Sequence, residues 1–163
     1  MRYKVRISVV KEIKDKENRV ALTPEGAKKL SAAGHEVLVE NNAGLNSSFS
    51  NEEYKNAGAQ IVDTGTAWSA ELVVKVKEPL EQEYKFLKNQ IVFTYFHLAG
   101  ITKTLTEALL KNKTTAVAYE TVEDGYNRLP LLAPMSAVAG NMAVQVGSYY
   151  LAKFNNGRGT LIG

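Results

Sequence analysis

Leu72-Val73-Val74-Lys75-Val76-Lys77, Ile91-Val92-Phe93-Thr94-Tyr95-Phe96-His97 and Thr115-Ala116-Val117-Ala118-Tyr119-Glu120 are short apolar runs, each ending on an ionisable side chain. Continuous runs rich in Val, Ile, Phe and Tyr mark strands buried on both faces of a parallel sheet. Such sheets bind ligands just outside the carboxyl ends of their strands. If the runs are neighbours, Lys77, His97 and Glu120 share one rim. A cation, an imidazole and a carboxylate there suit a small charged substrate.

The rest of the chain alternates in the same way. Val5 to Val10 reads as a first strand, followed by a charged loop, Lys11 to Arg19. Thr23-Pro24-Glu25 opens a helix that closes at Gly34, with a Thr cap, a first-turn Pro and a terminal Gly. Glu36 to Glu40 follows as a strand and Asn41 to Ser48 as a loop. Ser50 and Glu53 form a capping box for a helix ending at Gly58. A brief strand, Gln60 to Val62, precedes a helical turn around Trp68. Helical segments at Glu81 to Lys88 and Thr102 to Lys111 separate the three rim runs. Strands joined by helix-length connections predict right-handed crossovers and a largely parallel sheet.

The last third reads differently. Glu123-Asp124-Gly125 is a turn, Leu129 to Leu132 a strand or arm, and Pro134 introduces a long helix from about Ser136 to Phe154. Gly157, Gly159 and Gly163 imitate a dinucleotide fingerprint, but the spacing is G-x-G-x-x-x-G and no strand leads in. A flexible linker is the expectation there.

Composition narrows the function. The 163 residues suffice for one domain with a real core, or one domain plus a fragment. Twenty basic and 17 acidic side chains give +3, with lysines scattered among acids, which argues against nucleic-acid binding. No cysteine is present, excluding disulfides, thiolate catalysis and Cys-based zinc sites. Two histidines do not build a His-rich metal site, so no metal is expected. No apolar stretch approaches membrane-spanning length, and Lys11-Glu12 interrupts any signal-peptide core. A cytoplasmic protein without membrane partners is expected.

Several polar residues carry two readings. Arg19 either pairs on the surface with Glu17 or Glu25, or holds a carboxylate with its guanidinium fork. Regular alternation puts Lys75 and Lys77 on the same strand face, so periodicity does not choose between them. His97 is either a buried, hydrogen-bonded histidine or a titratable group at the rim. His35, just past a helix end, reads as a capping or surface residue, and Glu120 as a strand-end carboxylate that satisfies backbone amides.

The strings KEIKDKENRVALTPEG, AGHEVLVENNAG, VKVKEPL, FTYFHLA, AYETV, LPLLAPMSAVAG and GRGTLIG occur in order across essentially the whole chain. Together they resemble the alanine dehydrogenase family, from its start through its first domain and bridging helix. The transhydrogenase alpha subunit shares the NxxRVAxTP element, but the KVKEP, HLA and YETV elements favour the alanine enzyme. The resemblance implies an α/β, Rossmann-like, largely parallel sheet flanked by helices and ending in a long bridging helix. The implied division is a substrate-binding domain at 1–133, an inter-domain helix at 134–155 and a Gly-rich tail at 156–163.

The implied reaction is oxidative deamination of L-alanine to pyruvate and ammonia with NAD, and its reverse, by a homo-oligomer. Arg19 matches the arginine that clamps the substrate carboxylate. Lys77, rather than Lys75, matches the lysine at the substrate carbonyl, and His97 the general acid and base. Met135 and Ser136 match positions that approach the cofactor, with Glu120 in support. A keto acid needs such a bidentate cation, polarising donor and titratable group.

The chain also departs from the family pattern. Ser8 and Val10 stand where a GIPKE-like strand has Gly and Pro, and Ala137 and Asn141 where an MSEVAGR-like stretch has Glu and Arg or Lys. The loop at Leu45-Asn46-Ser47-Ser48 has less glycine than the family's. The family continues past GRGTLIG into a nucleotide-binding domain, so most of the NAD site is expected outside these residues, in a segment that is separately encoded if the gene is split. Alone, the chain is expected to be inactive, its sheet incompletely covered and prone to self-association. The alternative is a non-catalytic small-acid binding or assembly module, or a transhydrogenase alpha-subunit fragment.

Overall fold

The fold, a computed structural model, describes residues 3–100 and 102–162. Six parallel strands form one sheet: β1 (Arg6–Val9), β2 (Glu36–Glu40), β3 (Gln60–Val62), β4 (Leu72–Lys77), β5 (Ile91–Tyr95) and β6 (Thr115–Ala118). Their order across the sheet is β3-β2-β1-β4-β5-β6, with every neighbouring pair parallel. This is the Rossmann-like order. Successive connections run outward in one direction from β1 and in the other from β4, so the switch point lies between those strands.

The helices begin where their caps dictate. Helix α1 (Pro24–Ala32) starts at Thr23, whose hydroxyl accepts the Gly26 N–H at 3.2 Å. Helix α2 (Asn51–Asn56) carries the full Ser50–Glu53 capping box. Helix α3 (Thr64–Trp68) is capped by Asp63, and α4 (Lys103–Lys111) follows Thr102. At Glu81–Phe86 the expected helical segment is a 3-10 helix.

Two apolar clusters clamp the sheet. Val9, Val37, Val39 and Tyr54 belong to one, and Val10, Trp68, Val73, Val92 and Phe96 to the other. Consecutive Val9 and Val10 enter different clusters, as strand alternation demands. Tyr54 donates to the Leu22 carbonyl at 2.7 Å, and burial pushes its phenol up to about 12.

The chain divides into two compact units, residues 1–119 and 120–163. The second is dominated by α5 (Ala133–Leu151). That helix starts three residues before the expected Ser136, because Pro134 in the first turn forfeits only an N–H that has no helical partner. Leu129 to Leu132 is not a strand or arm. Its turn feeds the helix, with the Leu132 and Ala133 amides donating to the Leu129 carbonyl at 3.1 and 2.9 Å.

At the other end, Phe154 lies in a 3-10 turn, Lys153–Asn155. The glycines beyond it are not a loose linker: Gly157 N–H donates to Ala152 O at 3.1 Å and Gly159 N–H to Leu151 O at 2.8 Å. A Cβ on Gly157 would stand 2.3 Å from the Tyr150 carbonyl oxygen, so only glycine allows this return over the helix end. Gly163 lies outside the described residues.

Candidate functional site

The loop after β1 enters the rim beside the switch point. Glu17 holds Arg19 there: the Arg19 backbone N–H and Nε donate to Oε1 at 3.0 and 2.8 Å, and Nη2 donates to Oε2 at 2.6 Å. The Glu17 side chain is 8% exposed and that of Arg19 43%, so the carboxylate sits beneath the guanidinium. Arg19's hydrogen bonds hold the Glu17 carboxyl below the usual carboxylate range, helped by the charge of Lys77. Glu17 in turn raises Arg19, with smaller contributions from Tyr95 and Glu12. Residues after β1 and on β4 and β5 thus act on one another electrostatically.

Lys75 and Lys77 do not share an environment. Val74 pairs with Phe93 and Lys77 with Tyr95, so β4 spends three residues where β5 spends two. The inserted residue is a bulge, and a bulge reverses alternation beyond itself. Lys75 is buried, 2.8 Å from Glu83 and 3.4 Å from Glu12, with its ammonium 5.7 Å from the Trp68 ring centroid. Val76 is buried too, while Lys77 is half-buried at the strand end. The expectation that the two lysines occupy one face is therefore corrected.

His97 follows β5 after the buried Phe96 and is exposed, which removes the reading of a buried histidine. Its φ of 48° lies in the left-handed region, which few non-glycine residues adopt, although Asn, Asp and His do so more often than the rest. The backbone then doubles back, with Gly100 N–H donating to the His97 carbonyl at 2.8 Å. The imidazole lies so near Gly100 that a Cβ there would stand 2.5 Å from Cδ2 and Nε2. On β5, the Phe93 and Tyr95 rings meet the Tyr119 ring edge-on at 4.2 and 4.9 Å, and burial raises the Tyr119 phenol.

His35 accepts the Val5 N–H at 3.3 Å and pins the entry to β1. Glu120 opens the second unit, half-buried in the 3-10 turn Tyr119–Thr121. Met135 and Ser136 lie in the first turn of α5, on its exposed surface. In the first unit, Arg19 lies in the loop after β1, Lys77 is the last residue of β4 and His97 is two residues past β5. Glu120, Met135 and Ser136 belong to the other unit.

Glu12 and Glu83 were not legible as site residues. Glu12 follows the first strand amid charges, and nothing in its spacing signals burial. Among the described residues, no group of three or more His, Asp and Glu is placed to hold a metal, and no helix is long and apolar enough to cross a membrane.

The alanine dehydrogenase/PNT, N-terminal domain family matches residues 8–139. An alanine dehydrogenase of Staphylococcus epidermidis is 54% identical over 161 residues, 98% of this chain and 43% of its own length. A solved L-alanine dehydrogenase superposes with a TM-score of 0.86 at 49% identity, covering 97% of this chain and 44% of that one. A transhydrogenase from Sinorhizobium meliloti gives 0.66 at 31% identity, over 70% of this chain and 34% of that one. The chain thus spans less than half the length of these relatives.

Proposed function

This chain belongs to the alanine dehydrogenase/PNT N-terminal domain family, and from that premise we propose that it is the substrate-binding part of an NAD-dependent alanine dehydrogenase. The reaction is L-alanine, NAD and water to pyruvate, ammonia and NADH. The observation that supports the reading is that the loop carrying Arg19 follows β1, Lys77 ends β4 and His97 follows β5, three neighbouring strands that include the switch point.

Arg19 receives the substrate carboxylate, which a planar guanidinium does better than an ammonium. Lys77, half-buried at the end of β4, donates to the substrate carbonyl oxygen. His97 carries protons to and from the reacting centre as the amino group is exchanged for oxygen. The supporting role of Glu120 and the cofactor-side role of Met135 and Ser136 are proposed on the family resemblance alone.

NAD supplies the hydride acceptor of the overall reaction. The Gly157 and Gly159 amides do not serve its pyrophosphate, because they are spent on the end of α5. Homo-oligomeric assembly, a cytoplasmic location and the division at 133/134 and 155/156 are proposed on the same family ground. The transhydrogenase reading is second, favoured by the 0.66 superposition and by the family that the two enzymes share.

The test is a chimera in which this chain replaces the matching part of the S. epidermidis enzyme. It is expected to reduce NAD with L-alanine at a rate within about tenfold of the parent, whereas the isolated chain shows no turnover. A folded, NADH-binding chimera inactive on L-alanine overturns the reading.

A further inference from the structure

The pairing of β1 with β4 stops at Val9 opposite Val74, just before the bulge. Beyond that point the Glu12 side chain takes over as the bridge. Its Oε1 accepts the Val76 N–H at 2.6 Å and the Lys77 N–H at 3.3 Å. Its Oε2 stands 3.4 Å from the Lys75 ammonium. Lys75 also reaches Glu83 Oε1 at 2.8 Å, and Glu83 Oε2 accepts the Leu80 N–H at 2.8 Å.

Glu12, Lys75 and Glu83 are all buried, two carboxylates around one ammonium. Burial raises the Glu12 carboxyl, opposed by Lys75 and by the two amides. A carboxylate held against its own desolvation is explained by the acceptors it supplies. A bulge leaves its extra residue unpaired and β1 pairs with β4 only as far as Val74, so the Val76 and Lys77 amides take a side-chain acceptor instead.

We propose that Glu12 is a positioning residue: by holding the Val76 and Lys77 amides at the β4 bulge, it fixes the direction in which Lys77 is presented to the keto acid. Without that hold, β4 is free to relax toward an unbulged register. One residue of slip would turn Lys77 onto the face that Lys75 occupies. The inference rests on the reading of Lys77 as a substrate-contacting lysine, and deepens it by naming what aims the side chain.

The test uses this chain with Glu12→Ala and Glu12→Gln, read by amide hydrogen exchange and by titration with pyruvate under NMR. In Glu12→Ala, Lys75 keeps Glu83. Exchange at Val76 and Lys77 should accelerate at least tenfold while Val73 and Val92 stay protected, and pyruvate affinity should fall about tenfold. Glu12→Gln keeps an acceptor for the two amides and should restore both readouts to within threefold of the parent.

Unchanged exchange at Val76 and Lys77 in Glu12→Ala overturns the inference, as does full pyruvate affinity despite exposed amides. Equal loss of protection across Val73 and Val92 also overturns it, by showing a general structural role. A parent chain that ignores pyruvate, with the two amides still released in Glu12→Ala, defeats the substrate reading of Lys77 and leaves the hold of Glu12 on the bulge supported.

Discussion

Arg19 lies side-on against Glu17, its Nε 2.8 Å and its Nη2 2.6 Å from the two carboxylate oxygens. This pair fixes the plane of the guanidinium before any substrate arrives. A rigid fork loses less entropy on binding than a free one. Arg19→Lys breaks the planar contact to Glu17 and the proposed fork to the keto acid together. Pyruvate affinity should fall by about ten- to a hundredfold, the equivalent of ~1.5 to 3 kcal/mol for a charge-assisted bond, as read by NMR titration.

The same pair predicts a pH response. Glu17 has its carboxyl lowered chiefly by the Arg19 hydrogen bonds. Its contribution to stability is therefore fully present above the ordinary carboxylate value, and is lost as pH falls through the lowered one. The loop after β1 should stay ordered from neutrality down through pH 5 and loosen only in stronger acid. Glu17→Gln should remove that acid-side transition from the Arg19 side-chain resonances while leaving β2 and β3 unaffected.

Lys75 and Lys77 should separate cleanly. Lys77→Ala removes a half-buried ammonium and should weaken pyruvate by ten- to a hundredfold with little change in melting temperature. Lys75→Ala strands Glu12 and Glu83 in the core without their cation. Breaking a buried pair costs about 3 to 5 kcal/mol, so the melting temperature should fall by on the order of 10 °C at this chain length. Calorimetry of both variants decides the matter. A stable Lys75→Ala protein would contradict the triad.

The contrast between these lysines shows where sequence reading stops. The bounds of β2 and β3, the Thr23 cap and the Ser50–Glu53 box are local chemistry, and all were legible residue by residue. The rim positions of Lys77 and His97 followed from apolar runs that end on charge. The bulge was not legible, because one inserted residue leaves composition and pattern unchanged and is set by the partner strand. Glu12 was hidden for the same reason: its partners lie 63 to 65 positions away, on β4. The folded-back Gly157 looked like a linker because glycine permits freedom and close approach alike, and only the packed helix end decides which.

Ser8 offers a test of the strand core. It is fully buried in β1, and its hydroxyl has no hydrogen-bond partner among the described residues. An unsatisfied buried polar group costs about 1 to 3 kcal/mol. Ser8→Ala removes that cost and leaves a void the size of one oxygen, so it should stabilise the chain by about 1 kcal/mol net. Urea denaturation should show a higher midpoint with an unchanged slope.

His97 and Gly100 test whether the imidazole is aimed. The His97 backbone is left-handed at φ 48°, a conformation that Asn accepts more readily than most residues. His97→Asn should therefore keep the turn and remove only the titratable ring. In the S. epidermidis chimera, turnover should drop by roughly a hundredfold to ten-thousandfold with the melting temperature unchanged. Gly100→Ala leaves the ring in place chemically but drives a methyl to 2.5 Å from its Cδ2 and Nε2, so the imidazole must move. Turnover should then fall while the ring's NMR resonances remain present. If both variants retain parental turnover, His97 is a turn residue and proton transfer belongs elsewhere. If only Gly100→Ala is tolerated, the ring acts without needing the orientation that the turn imposes.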